Sequence, residues 1–221
     1  IGRDILANGG NAFDAAAAVG FSLAVTLPRA GNIGGGGFMM IYHAQENRTY
    51  ALDYREMAPA AATEEMFLDE RGVPDPHLSR HSALAVGVPG TVAGILEAHS
   101  RWGRLPLKAV IRPAIQLAER GIMVSSDLSE SLRYSQKRLS KYPATVQQFY
   151  PNNSTPQVGS LLKQPDLAQT LKIIAKKGTS GFYEGEVAEK MVTYITDLGG
   201  IMTLDDLKNY VPKWRTPVEG N

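Results

Sequence analysis

Gly31-Asn32-Ile33-Gly34-Gly35-Gly36-Gly37-Phe38-Met39-Met40-Ile41-Tyr42, followed by Thr49-Tyr50-Ala51-Leu52-Asp53-Tyr54-Arg55, is the stretch that decides how this chain is built. Successive glycines forfeit backbone entropy, so such a run signals positive φ angles or a main chain packed against something that leaves no room for a Cβ. Here the run leads into an apolar strand. A phosphate loop needs a helix N-terminus and a Gly-Lys-Ser/Thr ending, and a dinucleotide fingerprint needs a strand before and a helix after; the context excludes both. Gln45-Glu46-Asn47-Arg48 makes a polar turn and the second run returns, so a β-hairpin delivers Arg55 and Glu56 to its end.

Upstream, Asn8-Gly9-Gly10 closes a first helix, because Gly and Asn tolerate the left-handed conformation of a last turn. Asn11 then caps a second helix, with Asp14 favoured by the N-terminal dipole. From Ala15 to Leu27 nearly every residue is small or apolar, yet the run falls short of the roughly 20 residues that span a bilayer. It reads as a helix buried on most sides. Downstream, the pattern predicts a short helix over 60–67, a surface loop at 69–72, a strand over 81–86 and a helix from Thr91 to near Gly103. Pro106 and Pro113 predict two short helices within 105–120. Amphipathic helices follow over 128–139, 165–177 and 186–198, then a short helix capped by Thr203 and an extended segment from Pro212. Residues 150–156 are linker-like but too short to divide the chain, so 1–221 is read without an internal domain boundary.

Of 221 residues, 43% are hydrophobic and 20% charged, which is ordinary for a globular protein. Lys and Arg (23) nearly cancel Asp and Glu (22). A net charge of +1 lacks the broad positive field that nucleic acids and anionic membranes draw on, so neither partner is expected. The absence of Cys excludes disulfides, Cys-ligated zinc, iron–sulfur clusters and a thiolate nucleophile. The chain opens at Ile1 without a signal-peptide pattern and stops at Asn221 soon after the approach to a strand, which leads us to expect an excerpt of a longer protein.

Candidate chemistry is sparse. His77 and His81 have the spacing of a helical metal pair, but Pro74 and Pro76 precede them and no third ligand follows, so no metal is expected. Ser160-Leu161-Leu162-Lys163 matches the S-x-x-K of serine acyl-enzymes without its S-D-N and K-T-G companions, and reads as a helix surface. Arg133, Lys137, Arg138 and Lys141 read as a solvated face. Arg55, beside a glycine-rich turn and flanked by Asp53 and Glu56, is able to grip a carboxylate through two parallel hydrogen bonds. Residue chemistry alone favours the plainer reading, an internal ion pair with Asp53 or Glu56.

A resemblance changes that balance. Gly9-Gly10-Asn11-Ala12-Phe13-Asp14-Ala15-Ala16, Gly31-Asn32-Ile33-Gly34-Gly35-Gly36-Gly37-Phe38 and Asp53-Tyr54-Arg55-Glu56-Met57-Ala58-Pro59 resemble successive signatures of the gamma-glutamyltranspeptidase family. Val88-Pro89-Gly90-Thr91-Val92-Ala93-Gly94, 113–121 and Thr203-Leu204-Asp205-Asp206-Leu207 continue the likeness in order. The resemblance implies an α+β fold, the helix-rich part of a four-layer αββα sandwich of the N-terminal-nucleophile hydrolase type, incomplete in this chain. It also implies a precursor that cuts itself into a large and a small subunit, of which 1–221 resembles part of the large one. The nucleophilic threonine is expected beyond Asn221, so no catalytic residue is expected here. Arg55 is expected to bind the α-carboxylate of a γ-glutamyl donor such as glutathione, supported by Asp53 and Glu56. The small subunit and an amino-acid or peptide acceptor are the other expected partners, with no cofactor and a periplasmic or secreted location. Family members that act mainly as hydrolases on cephalosporin side chains or poly-γ-glutamate, and a non-catalytic carboxylate-binding module, remain alternatives at this point.

Overall fold

Helices dominate the computed structural model, which describes residues 1–218 and 220. In chain order the elements are α1 (Gly2–Ala7), α2 (Ala12–Thr26), β1 (Phe38–His43), β2 (Arg48–Asp53), α3 (Pro76–His81), α4 (Thr91–Trp102), α5 (Leu107–Arg120), β3 (Ile122–Met123), α6 (Ser126–Leu139), α7 (Pro143–Phe149), β4 (Leu161–Leu162), α8 (Pro165–Lys177), α9 (Ser180–Tyr183), α10 (Gly185–Asp197), α11 (Leu204–Lys208) and β5 (Lys213–Arg215). They fall into two units, one built from 1–32 with 104–175, the other from 33–103 with 176–221.

The first unit is organised by α2 on α5. Gly9 takes φ +88° at the end of α1, and Asn11 then opens α2 with a reciprocal capping box: its side chain accepts from the Phe13 and Asp14 amides, and Asp14 accepts from the Asn11 amide at 2.8 Å. Asp14 is 0% exposed and also accepts from the Arg104 and Leu105 amides at 3.1 Å, tying the start of α2 to the segment that leads into α5. Both helices bury apolar side chains, Ala17 and Ala18 on α2 and Val110, Ile111, Ala114 and Ala118 on α5, and the alanines suit close packing. At the far end the buried Gln164 amide donates to the Val25 carbonyl at 2.8 Å, satisfying one orphan acceptor of the last turn.

The second unit holds an antiparallel sheet in the order β1-β2-β5, with Phe38 opposite Asp53 and Ala51 opposite Arg215. Alternation along the hairpin buries Ile41 and Leu52 while leaving Phe38 67% exposed. Helix α4 packs against β2, contributing Val92, Ile95 and Leu96 to the core. At its C-terminal end Trp102 meets Trp214 edge-on, and the Arg101 guanidinium lies 4.6–5.2 Å from the ring centres of Tyr50, Trp102 and Trp214.

Several sequence expectations are corrected. Residues 60–67 form turns, not a helix: their bonds close over three residues, and the Ala60 amide is taken by the distant Asp206 carboxylate. The strand expected over 81–86 is the end of α3 followed by a 3-10 turn at Ala83–Ala85, and extended pairing is confined to Val88 against Met57. α5 is one helix running through Pro113, because a single apolar face spanning both halves outweighs the one bond a proline removes. Ser160 precedes the short strand β4 and its hydroxyl bonds the Gln157 carbonyl, so this is not a helix surface. α2 is buried less completely than its composition suggests, since Val19 and Leu23 lie exposed on one side. His77 and His81 do share a helix, started by Pro76, with rings 5.7 Å apart; no group of three ligating side chains occurs among the described residues.

Replacing Asp14 by Ala leaves the amides of Asn11, Arg104 and Leu105 without the carboxylate that they share. We expect Asp14→Ala to lower unfolding stability by at least about 2 kcal/mol, read as a drop in the thermal or urea midpoint.

Candidate functional site

Arg55 lies just beyond β2, and its main chain is held from several directions. Tyr54 exchanges two backbone bonds with Gly37, at 2.9 and 3.3 Å, which extends the β1–β2 ladder past its last regular pair. The Arg55 amide donates to Asp53 Oδ1 at 3.1 Å, and its carbonyl accepts from the Tyr210 hydroxyl at 2.9 Å. Two residues on, Met57 and Val88 bond each other reciprocally. The Arg55 side chain itself is exposed.

Glycines make this close packing possible. A Cβ at Gly36 would stand 2.5 Å from the Tyr54 carbonyl oxygen and 2.7 Å from the Glu56 amide nitrogen, so the glycine run lies flat against the arginine's backbone. A Cβ at Gly94 would fall 2.1 Å from Tyr54 Cγ, which seats the Tyr54 ring directly on α4. The carbonyl of Gly35 accepts the Gly90 and Thr91 amides at 2.7 and 2.9 Å, capping α4 where no side chain does so.

Of the three residues proposed from sequence, the structure brings Asp53 to Arg55 through the backbone and not through the guanidinium. Asp53 Oδ2 instead receives the Arg215 guanidinium, at 2.8 and 3.1 Å. Glu56 is exposed beside Gly87, and among the described residues neither carboxylate forms an ion pair with Arg55. The Arg215 guanidinium, together with the Arg55 amide, holds the Asp53 carboxyl below the usual aspartate range. Burial, aided by the Asp53 and Glu56 carboxylates, pushes the Tyr210 hydroxyl up to about 12, so it remains protonated and able to donate. Burial also raises Tyr54 and Tyr183.

Sequence reasoning missed the tyrosines. Tyr183 donates to the Pro89 carbonyl at 2.8 Å, accepts from the Ala93 amide at 3.2 Å, and stacks on Tyr210 with ring centres 5.8 Å apart. A usable signal existed in Gly90 and Gly94, four apart on one helical face, which marks a close approach. Nothing local announces which aromatic fills it.

With this geometry in view, comparison with known proteins is direct. The gamma-glutamyltranspeptidase family profile matches residues 1–221. The Escherichia coli K12 glutathione hydrolase proenzyme is 44% identical over the whole chain, and that of Bacillus subtilis 168 is 45% identical over the whole chain. The chain spans 38% of the length of each of these curated relatives. The crystal structure of Helicobacter pylori gamma-glutamyltranspeptidase aligns with all of this chain and 63% of its own, at 46% identity and a TM-score of 0.97. The fold is therefore the helix-rich α+β arrangement of an N-terminal-nucleophile hydrolase, as the resemblance implied. The chain belongs to the gamma-glutamyltranspeptidase family.

Asp53 yields a pH prediction. Its folded pKa is depressed, so its stabilising bonds are complete above the unfolded value, about 3.9, and are lost as pH falls through the folded value. Stability should drop on acidification below about pH 4, and the Asp53→Asn variant should show a flatter acid limb, measured as unfolding midpoints across that range.

Proposed function

We propose that this chain supplies the donor-carboxylate site of a gamma-glutamyltranspeptidase that cleaves the γ-glutamyl amide of glutathione or a related peptide. One observation carries the reading: the Arg55 guanidinium is exposed and has no carboxylate partner among the described residues, while its backbone is fixed on both sides. A fork left open in this way is suited to a substrate α-carboxylate. The names of the relatives, glutathione hydrolase proenzymes, support both the substrate class and a precursor cleaved into two subunits.

In this proposal the small subunit contributes the threonine nucleophile. Its Oγ attacks the γ-carbonyl carbon, the amide C–N bond breaks, and the threonine's own α-amino group relays the proton to the departing amine. Water or the amine of an amino acid or peptide then attacks the resulting ester and frees the threonine. Arg55 takes no part in bond breaking; it fixes the other end of the glutamyl group and so aligns the γ-carbonyl. We further propose a periplasmic or secreted location for the whole protein. No helix among the described residues is long and apolar enough to cross a membrane.

In the two-subunit protein, Arg55→Lys keeps the charge but loses the fork, and should raise the donor KM roughly tenfold. An unchanged KM overturns the assignment. The 221-residue chain alone should release no glutamate from a γ-glutamyl anilide.

A further inference from the structure

We infer that Tyr210 is a positioning residue for donor binding, acting through the main chain of Arg55. The inference rests on Arg55 as the donor-carboxylate ligand. Its physical basis is the accuracy with which a long side chain presents its head group. An arginine reaches through several rotatable bonds, so any swing of its backbone is magnified at the guanidinium, and a two-bond grip on a carboxylate tolerates little of it.

The structure fixes the peptide groups on both sides of Arg55. Asp53 holds the amide, and the Tyr210 hydroxyl, 9% exposed as a residue, holds the carbonyl at 2.9 Å. With both groups held, neither φ nor ψ of Arg55 is free to turn, and the direction of its Cα–Cβ bond is set. Tyr210 is in turn well supported. It follows α11, whose capping box joins Thr203 and Asp206, and Asp206 also accepts the Ala60 amide at 2.8 Å, pinning the chain that leaves Arg55. Its ring lies parallel to Tyr183 within 5°. A Cβ at Gly90 would stand 2.1 Å from the Tyr210 hydroxyl and 2.0 Å from the Tyr54 carbonyl, so only glycine at that position lets the hydroxyl reach its acceptor. The Val88-Pro89-Gly90 and Thr203-Leu204-Asp205-Asp206-Leu207 blocks, unexplained by any chemistry of their own, thus converge on the placement of one arginine.

The test is Tyr210→Phe in the two-subunit protein, which keeps the ring stack and deletes one hydrogen bond. We expect the KM for a γ-glutamyl donor to rise about three- to tenfold with kcat changed less than about twofold, since the bond to be broken lies at the other end of the glutamyl group. KM does not depend on how much of a preparation is folded, whereas kcat does, so kcat is taken per titrated active site. Tyr150→Phe is the matched control. Tyr150 is 1% exposed and donates to the Leu132 carbonyl at 2.8 Å in the other unit, so it loses a comparable buried bond and should leave the donor KM unchanged. A donor whose α-carboxylate is replaced by a carboxamide should lose no further kcat/KM in Tyr210→Phe. The inference is overturned if Tyr210→Phe leaves KM unchanged while Arg55→Lys raises it, or if the carboxamide donor suffers as much as the acid. If Arg55→Lys also leaves KM unchanged, the donor-site reading itself falls.

Discussion

Much of the second unit depends on a close approach that only Cβ-free residues permit: the main chain of Tyr54-Arg55-Glu56 pressed between Gly36 on one side and Gly90 on the other. Real Cβ atoms do not come within 2.0–2.7 Å of backbone atoms, so a methyl group at either glycine forces the strands, the helix or the tyrosine to move. Such overpacking costs on the order of 1–3 kcal/mol and relaxes by shifting backbone. Shifted backbone is what the proposed donor site, built on the root of one arginine, cannot absorb. Glycine here is therefore a requirement of packing, and its entropy cost is offset by bonds that run through the cleared space. The Gly35 carbonyl caps α4, Gly37 extends the hairpin, and the Tyr210 hydroxyl reaches Arg55.

How much of this was legible depended on whether the signal was local. Asn11 with Asp14, Thr203 with Asp206, and Gly121 at the end of α5 are punctuation that acts within a turn, and each does what its residue type implies. The hairpin was equally plain, because alternation and a polar turn suffice. Failures occurred where a distant partner decides. Residues 60–67 have helix-forming composition, but Asp206, far along the chain, takes the amide of Ala60 and fixes a different path. Pro113 reads as a break, yet a buried face continuous with Val110 and Ala118 carries the helix past it. Asp14 reads as an N-terminal cap; its second role, gathering the Arg104 and Leu105 amides, depends on contacts ninety residues away.

The proposed site shows the same division. Arg55 was visible because a cation after a glycine-rich hairpin is chemically conspicuous and because the surrounding block resembles a known family. The tyrosines around it were not, since Tyr54, Tyr183 and Tyr210 come from three separate segments and share no spacing. Family signatures hinted at them indirectly. Blocks that carry no reactive group, Val88 to Gly94 and Thr203 to Leu207, bond the chain that follows Arg55, at Met57 and Ala60.

Asp53 shows why an arginine flanked by acids stays available. Had its carboxylate closed on the Arg55 guanidinium, a substrate carboxylate would have to displace a like-charged competitor already bonded at short range, losing much of the 1.5–3 kcal/mol that a hydrogen bond to a charged group contributes. The two oxygens of Asp53 are instead spent differently: Oδ2 on the guanidinium of Arg215, from the neighbouring strand β5, and Oδ1 on the backbone amide of Arg55. The strand register sets this choice, because Asp53 pairs with Lys213 and so brings Arg215, two residues on and on the same sheet face, within reach. The β2–β5 pairing thus supplies Asp53 with the cation of Arg215, and the hairpin ends in Arg55, whose backbone is restrained and whose guanidinium has no carboxylate partner among the described residues.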